Sequence, residues 1–129
     1  RVVLCDDHHV LREGLAGLLD QQPDVRVIGQ ASNGLDAIEL ARELQPDVIV
    51  MDVTMPIVDG AEATRRIAAS WPQLRVVALS MHDDPAVRAN MLAAGACAFL
   101  TKGGPVDEVI AAVRRAATGQ PAVTTDAAR

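Results

Sequence analysis

The chain has 129 residues, enough for one domain that buries roughly two-thirds of its unfolded surface. Half of it is apolar, which argues against disorder, and a net charge of −5 with dispersed basic residues argues against a nucleic-acid-binding face. No apolar run approaches the ~20 residues that span a bilayer, and no signal peptide is visible, although the missing initiator Met points to residues upstream of Arg1.

Arg1-Val-Val-Leu-Cys5 is a short apolar run rich in β-branched residues and reads as a buried strand that ends on Asp6 and Asp7. Leu11, Leu15, Leu18 and Leu19 then share one helical face, closed by Asp20 to Asp24 with Pro23. Val25 to Ala31 alternates and suits a second, more exposed strand, followed by turn chemistry at Ser32-Asn33-Gly34. Ile38, Ala41 and Leu44 line a helix that ends before Pro46.

Asp47-Val-Ile-Val-Met51 is the third strand and runs into Asp52, then Val53-Thr54-Met55-Pro56 and a turn at Asp59-Gly60. Ala63, Thr64 and Ile67 mark a short helix stopped around Trp71-Pro72. Arg75-Val-Val-Ala-Leu79 is the fourth strand and ends on Ser80. His82 to Pro85 opens the next helix, lined by Val87, Met91 and Ala94 and ended by Gly95. Cys97-Ala-Phe-Leu-Thr101 is the fifth strand and runs into Lys102. After Gly103-Gly104, Val106, Val109, Ile110 and Val113 form the last apolar stripe. The spacing predicts one domain over residues 1–118, with 119–129 as the start of a linker.

Alternation of five strands with five helices predicts an α/β fold: a doubly wound, five-stranded parallel sheet with helices on both faces. Ligands of such sheets bind just beyond the carboxyl ends of the strands. Asp6, Asp7, Asp52, Ser80 and Lys102 therefore face one crevice, and Lys102 is the only lysine among twelve basic residues. Carboxylates ~5 Å apart repel by about 3 kcal/mol at an effective dielectric of 20, so the cluster favours a hard divalent cation. Oxygen ligands suit Mg²⁺, with one oxygen each from Asp7 and Asp52, the backbone carbonyl of Thr54, and Asp6 reaching the ion through water. Asp52, ending the strand expected at mid-sheet, is the candidate nucleophile towards phosphorus. Lys102 would pair with one phosphoryl oxygen and the Ser80 hydroxyl would hydrogen-bond another, which draws in both loops and makes a switch.

These residues in this order resemble a response-regulator receiver domain with the flavodoxin-like receiver fold. Asp6-Asp7-His8 followed by Leu11-Arg12-Glu13-Gly14-Leu15 further resembles the NarL/FixJ (LuxR-type) group. Ser80 departs from a Thr common in the family, yet keeps the hydroxyl. The resemblance implies phosphorylation of Asp52 by a sensor histidine kinase or a small phosphodonor, with Mg²⁺ required. It also marks Phe99 as an aromatic whose rotamer follows the phosphate through Ser80. It implies a homodimer strengthened by phosphorylation, and control of transcription through a C-terminal helix-turn-helix domain not included in this chain. Arg114 and Arg115 on the last helix suit either intermolecular ion pairs or a solvated face.

The remaining expectations are plainer. Cys5 and Cys97 read as core thiols of a protein in a reducing cytoplasm. Asp6 and Asp7 as mere caps of the first helix, and His8 and His9 as transition-metal ligands, are the weaker readings, the latter because adjacent helical residues point apart. Thr54 and His82 are placed at the crevice mouth, where they would tune hydrolysis of the phosphate. An aspartyl phosphatase would need a second Asp at the position of Thr54, so the expectation is a phosphoacceptor rather than a conventional turnover enzyme. A receiver-like binding module that is never phosphorylated is the alternative.

Overall fold

The computed structural model describes residues 1–119. Strands β1 (Val2–Cys5), β2 (Val27–Ala31), β3 (Val48–Asp52), β4 (Arg75–Ser80) and β5 (Ala98–Thr101) alternate with five helices. The helices are α1 (His9–Asp20), α2 (Gly34–Leu44), α3 (Gly60–Ser70), α4 (Pro85–Ala94) and α5 (Val106–Ala117). All strand pairs are parallel, in the order β2-β1-β3-β4-β5, so the chain winds outward from β1 in both directions and β3 lies at the centre. The expected linker lies outside the described residues from position 120 onward.

Alternate residues of each strand enter one of two apolar layers. Val3, Cys5, Ile49, Met51, Val76, Ala78 and Phe99 pack under α2, α3 and α4, which contribute Ala37, Ala41, Ala63, Ile67 and Met91. Val2, Leu4, Val48, Val50, Val77, Leu79 and Ala98 pack under α1 and α5, which contribute Ala16, Leu19, Val109, Ile110 and Val113. Both faces of β1 and β3 are therefore covered, which is why those strands read as unbroken apolar runs. The edge strand β2 is only half-buried and keeps an alternating sequence.

Local signals fix the helix starts. Asn33, Asp59 and Asp84 each accept a backbone N–H from the first turn of α2, α3 and α4, satisfying donors that have no partner within the helix. Helix α1 differs: His8 occupies its N-cap position without a side-chain cap, so neither Asp6 nor Asp7 caps it. Asp6 instead accepts the His8 N–H, at 2.8 Å.

Candidate functional site

Strand parity decides which polar groups meet. Asp6 follows Val2 and Leu4, Asp52 follows Val48 and Val50, and Lys102 follows Ala98 and Leu100, all on the α1/α5 side. Their side chains converge at the carboxyl edge of the sheet. Lys102 Nζ lies 2.9 Å from Asp6 Oδ2 and 3.1 Å from Asp52 Oδ1, and its side chain is only 4 % exposed. Asp6 and Asp52 are themselves buried. One ammonium thus bridges two buried carboxylates and leaves one of their two negative charges uncompensated.

The second oxygen of Asp52 has a different fate. Its Oδ1 accepts from Lys102 and, at 3.3 Å, from the Thr54 N–H. Its Oδ2 is buried with no hydrogen-bond partner. Burial pushes the Asp52 carboxyl up to about 6, the nearby Asp6 charge adds to this, and Lys102 and the Thr54 N–H only partly oppose it. Asp6 moves the other way: burial acts to raise it, but the His8 N–H and Lys102 outweigh that and hold it below the usual range.

The loop after Asp52 is pressed against the strand end. A Cβ on Gly60 would come within 2.2 Å of the Asp52 carbonyl oxygen, so the start of α3 requires glycine for close approach. Upstream, the Val58 N–H donates to the Pro56 carbonyl at 2.8 Å and Ile57 has φ 71°. That is a γ-turn centred on a β-branched residue, two residues before the turn expected from Asp59-Gly60.

Ser80 and Phe99 fall on the opposite parity. Ser80 follows Val76 and Ala78, and Phe99 pairs with Ala78 in the register of β4 and β5. Phe99 is buried, with the Arg88 guanidinium 5.0 Å from its ring centroid. Ser80 Oγ accepts the His82 N–H at 3.3 Å and is not hydrogen-bonded to the carboxylates. Ser80 is still tied to Lys102, whose N–H donates to the Ser80 carbonyl at 2.7 Å. Thr54 and His82 have exposed side chains at the rim.

One expectation needs correction. His8 does converge with the acidic cluster: its Nδ1 lies 3.0 Å from Asp6 Oδ1, 3.3 Å from Asp7 Oδ1 and 3.4 Å from Lys102 Nζ. Helix direction does not separate His8 from the carboxylates, because α1 begins at His9 and His8 itself is extended at φ −87° and ψ 96°. His9 does turn away, its Nδ1 lying 3.0 Å from Arg12. Arg114, considered for intermolecular pairing, is held within the chain by both carboxylate oxygens of Asp24, at 2.8 and 3.0 Å, and by Gln22.

The donor set suits a divalent cation. One ligand atom each from Asp6, Asp7, His8 and Asp52 lies within 4.8 Å of the others. Asp6 already spends Oδ1 on the His8 N–H and Oδ2 on Lys102, whereas Asp52 Oδ2 has no partner and Asp7 is exposed. No helix among the described residues is long and apolar enough to cross a membrane.

The family described as Response regulator receiver domain matches residues 2–114. Response regulator GacA of Pseudomonas aeruginosa is 38 % identical over 120 residues, covering 93 % of this chain and 56 % of GacA. The chain thus spans a little over half the length of that curated relative. A LuxR-family two-component response regulator from Aurantimonas superposes with TM-score 0.92 at 34 % identity, covering 99 % of this chain and 91 % of the other. The signal receiver domain of NarL from Mycobacterium tuberculosis gives 0.87 at 38 % identity, covering 93 % and 97 % respectively.

Proposed function

Since this chain belongs to the response-regulator receiver domain family, in its NarL/FixJ (LuxR-type) subgroup, we propose that it is a phosphoryl-accepting switch with Asp52 as acceptor. The observation that carries this reading is Asp52 Oδ2, a buried carboxylate oxygen with no partner at the end of the central strand. Above its raised pKa the carboxylate is ionised and can attack phosphorus, while the bond to the donor's leaving group breaks. Lys102, already bridging Asp6 and Asp52, neutralises charge on the incoming group without moving far. The Ser80 hydroxyl would exchange its His82 N–H contact for a phosphoryl oxygen, and Phe99, on the same side of the sheet, would repack beneath it.

Asp7 and Asp52 would hold Mg²⁺ directly, with the Thr54 carbonyl, and Asp6 would reach it through water. When bound, the ion would neutralise phosphoryl oxygens and relieve the repulsion among the carboxylates. Thr54 and His82, both exposed at the rim, would set how readily water reaches the phosphate. The donor would be a histidine kinase or a small acyl phosphate. The output would be a C-terminal DNA-binding domain controlling transcription, aided by a homodimer strengthened on phosphorylation, in a cytoplasmic protein. On this reading residues 1–118 are the receiver unit and the chain from 119 leads to that output.

The test is intact-protein mass after incubation with acetyl phosphate, with and without Mg²⁺, on the wild type and Asp52→Asn. A Mg²⁺-dependent gain of one phosphoryl group, absent in the variant, is expected. No gain under any condition would instead favour a binding module that is never phosphorylated.

A further inference from the structure

We propose that His8 is a metal ligand of this crevice, so that it takes borderline transition cations of the Ni²⁺, Co²⁺ and Zn²⁺ class through a nitrogen–oxygen donor set. The inference rests on the reading that the crevice holds a divalent cation, and goes beyond it in naming a ligand and a selectivity.

The geometry comes first. Ligands at ~2.1 Å from one ion stand about 3.0 Å apart when cis in an octahedron and about 3.4 Å apart in a tetrahedron. His8 Nδ1 lies 3.0 Å from Asp6 Oδ1 and 3.3 Å from Asp7 Oδ1. The ring nitrogen is therefore already at ligand-to-ligand spacing from Asp7, while its 3.0 Å contact to Asp6 is a hydrogen bond that holds it beside the cluster. Asp52 contributes a second sign of a ligand: a carboxylate oxygen of it lies in the same cluster, its Oδ2 is buried without a partner, and Asp52 is only 2 % exposed.

The backbone fixes this arrangement. His8 sits one residue before α1, and its own N–H is bonded to Asp6 Oδ1 at 2.8 Å, which holds the residue beside the carboxylates. Its ring is half-exposed, so coordination through Nδ1 needs no new burial of the rest of the imidazole. Asp6 and Asp7 approach the same nitrogen, at 3.0 and 3.3 Å, and Lys102 Nζ lies 3.4 Å from it. A cation there would satisfy the nitrogen and Asp7 together, while Asp6 keeps its bonds to the His8 N–H and Lys102. The phosphoryl reaction proposed above makes no use of His8.

Chemistry then sets the selectivity. Mg²⁺ is a hard ion that keeps oxygen ligands and waters, whereas imidazole suits Ni²⁺, Cu²⁺ and Zn²⁺. His8 would thus add affinity for the transition ions and almost none for Mg²⁺. Being neutral when it coordinates, it also adds no further negative charge to three clustered carboxylates.

The experiment is calorimetric titration of the untagged full chain with Ni²⁺ and, separately, Mg²⁺, on wild type, His8→Ala, His8→Gln, His9→Ala and Asp52→Asn. Histidine-labelled, Co²⁺-loaded wild type is then read by NMR for contact-shifted imidazole signals. Both His8 variants should weaken Ni²⁺ by about tenfold or more and leave Mg²⁺ within about twofold. His9→Ala should change neither ion, and Asp52→Asn should weaken both. Contact-shifted signals from one histidine, His8, are expected, and this readout decides the matter should the His8 variants fold poorly. Unchanged Ni²⁺ affinity, equal loss of both ions, or no shifted imidazole would overturn the assignment. If wild type binds neither ion, the crevice is not a cation site at all; if Mg²⁺ binds and Ni²⁺ ignores His8, only this inference falls.

Discussion

Asp52→Asn should stabilise the metal-free fold, although it removes one partner of a buried ion-pair network. The Asp52 carboxyl is raised from 3.8 to about 6, chiefly by burial and then by Asp6. At about 1.4 kcal/mol per pKa unit, keeping it ionised above pH 7 costs the native state about 3 kcal/mol. The sign follows from proton binding: between pH 4 and 6 the native state holds a proton that the unfolded state has released, so wild-type stability falls as pH rises. Below pH 4 both states are protonated and the penalty vanishes. Asparagine carries no such charge, and Lys102 keeps Asp6 as a partner at 2.9 Å. After allowing for the lost contact to Lys102, we expect a gain of about 1–3 kcal/mol at pH 7.5 that shrinks by roughly 2 kcal/mol at pH 4.5. Urea unfolding in EDTA, followed through the single tryptophan, Trp71, measures both values. A variant less stable than wild type at pH 7.5, or a difference that does not change with pH, would mean that the buried Asp52 charge is not a net cost to the fold.

Other perturbations separate the parts of the crevice. Lys102→Met leaves Asp6 and Asp52 buried together without their cation and should cost about 3–5 kcal/mol at neutral pH, read by urea midpoint, with part recovered near pH 4.5 as a carboxyl protonates. Mg²⁺ at ten times its dissociation constant should stabilise wild type by about 1.4 kcal/mol and Asp7→Asn by less, measured as the shift in unfolding midpoint on adding EDTA. Thr64→Val should gain about 1 kcal/mol in thermal unfolding, since the Thr64 hydroxyl is buried on α3 without a hydrogen-bond partner.

Much of this fold was legible because local and global signals agree. Four apolar runs became β1, β3, β4 and β5 within a residue or so of their sequence limits, since strands covered on both faces leave no alternation to misread. Asp6, Asp52 and Lys102 were read from where the apolar runs stop, and Lys102 lies within ion-pair distance of both carboxylates. Ser80 shows where that reasoning stops short: it ends its strand on the other parity, nearer Phe99 in the pleat than the carboxylates. The approach of His8 to the carboxylates escaped because it depends on whether α1 starts at residue 8 or 9, a boundary that sequence rarely fixes. The Arg114–Asp24 pair joins residues far apart in sequence, and no local pattern announces it. The left-handed Ile57 is likewise invisible, because a β-branched residue is among the least expected there.

The central claim is that Asp52, rather than a neighbouring acid or imidazole, accepts the phosphoryl group. Borohydride trapping after incubation with acetyl phosphate and Mg²⁺, followed by peptide mass mapping, tests it most directly, because borohydride reduces an aspartyl phosphate to homoserine. Homoserine is expected at position 52 alone, and none when Mg²⁺ is withheld. Homoserine at position 6 or 7, or a phosphoryl group retained on His8 with position 52 unmodified, would contradict it.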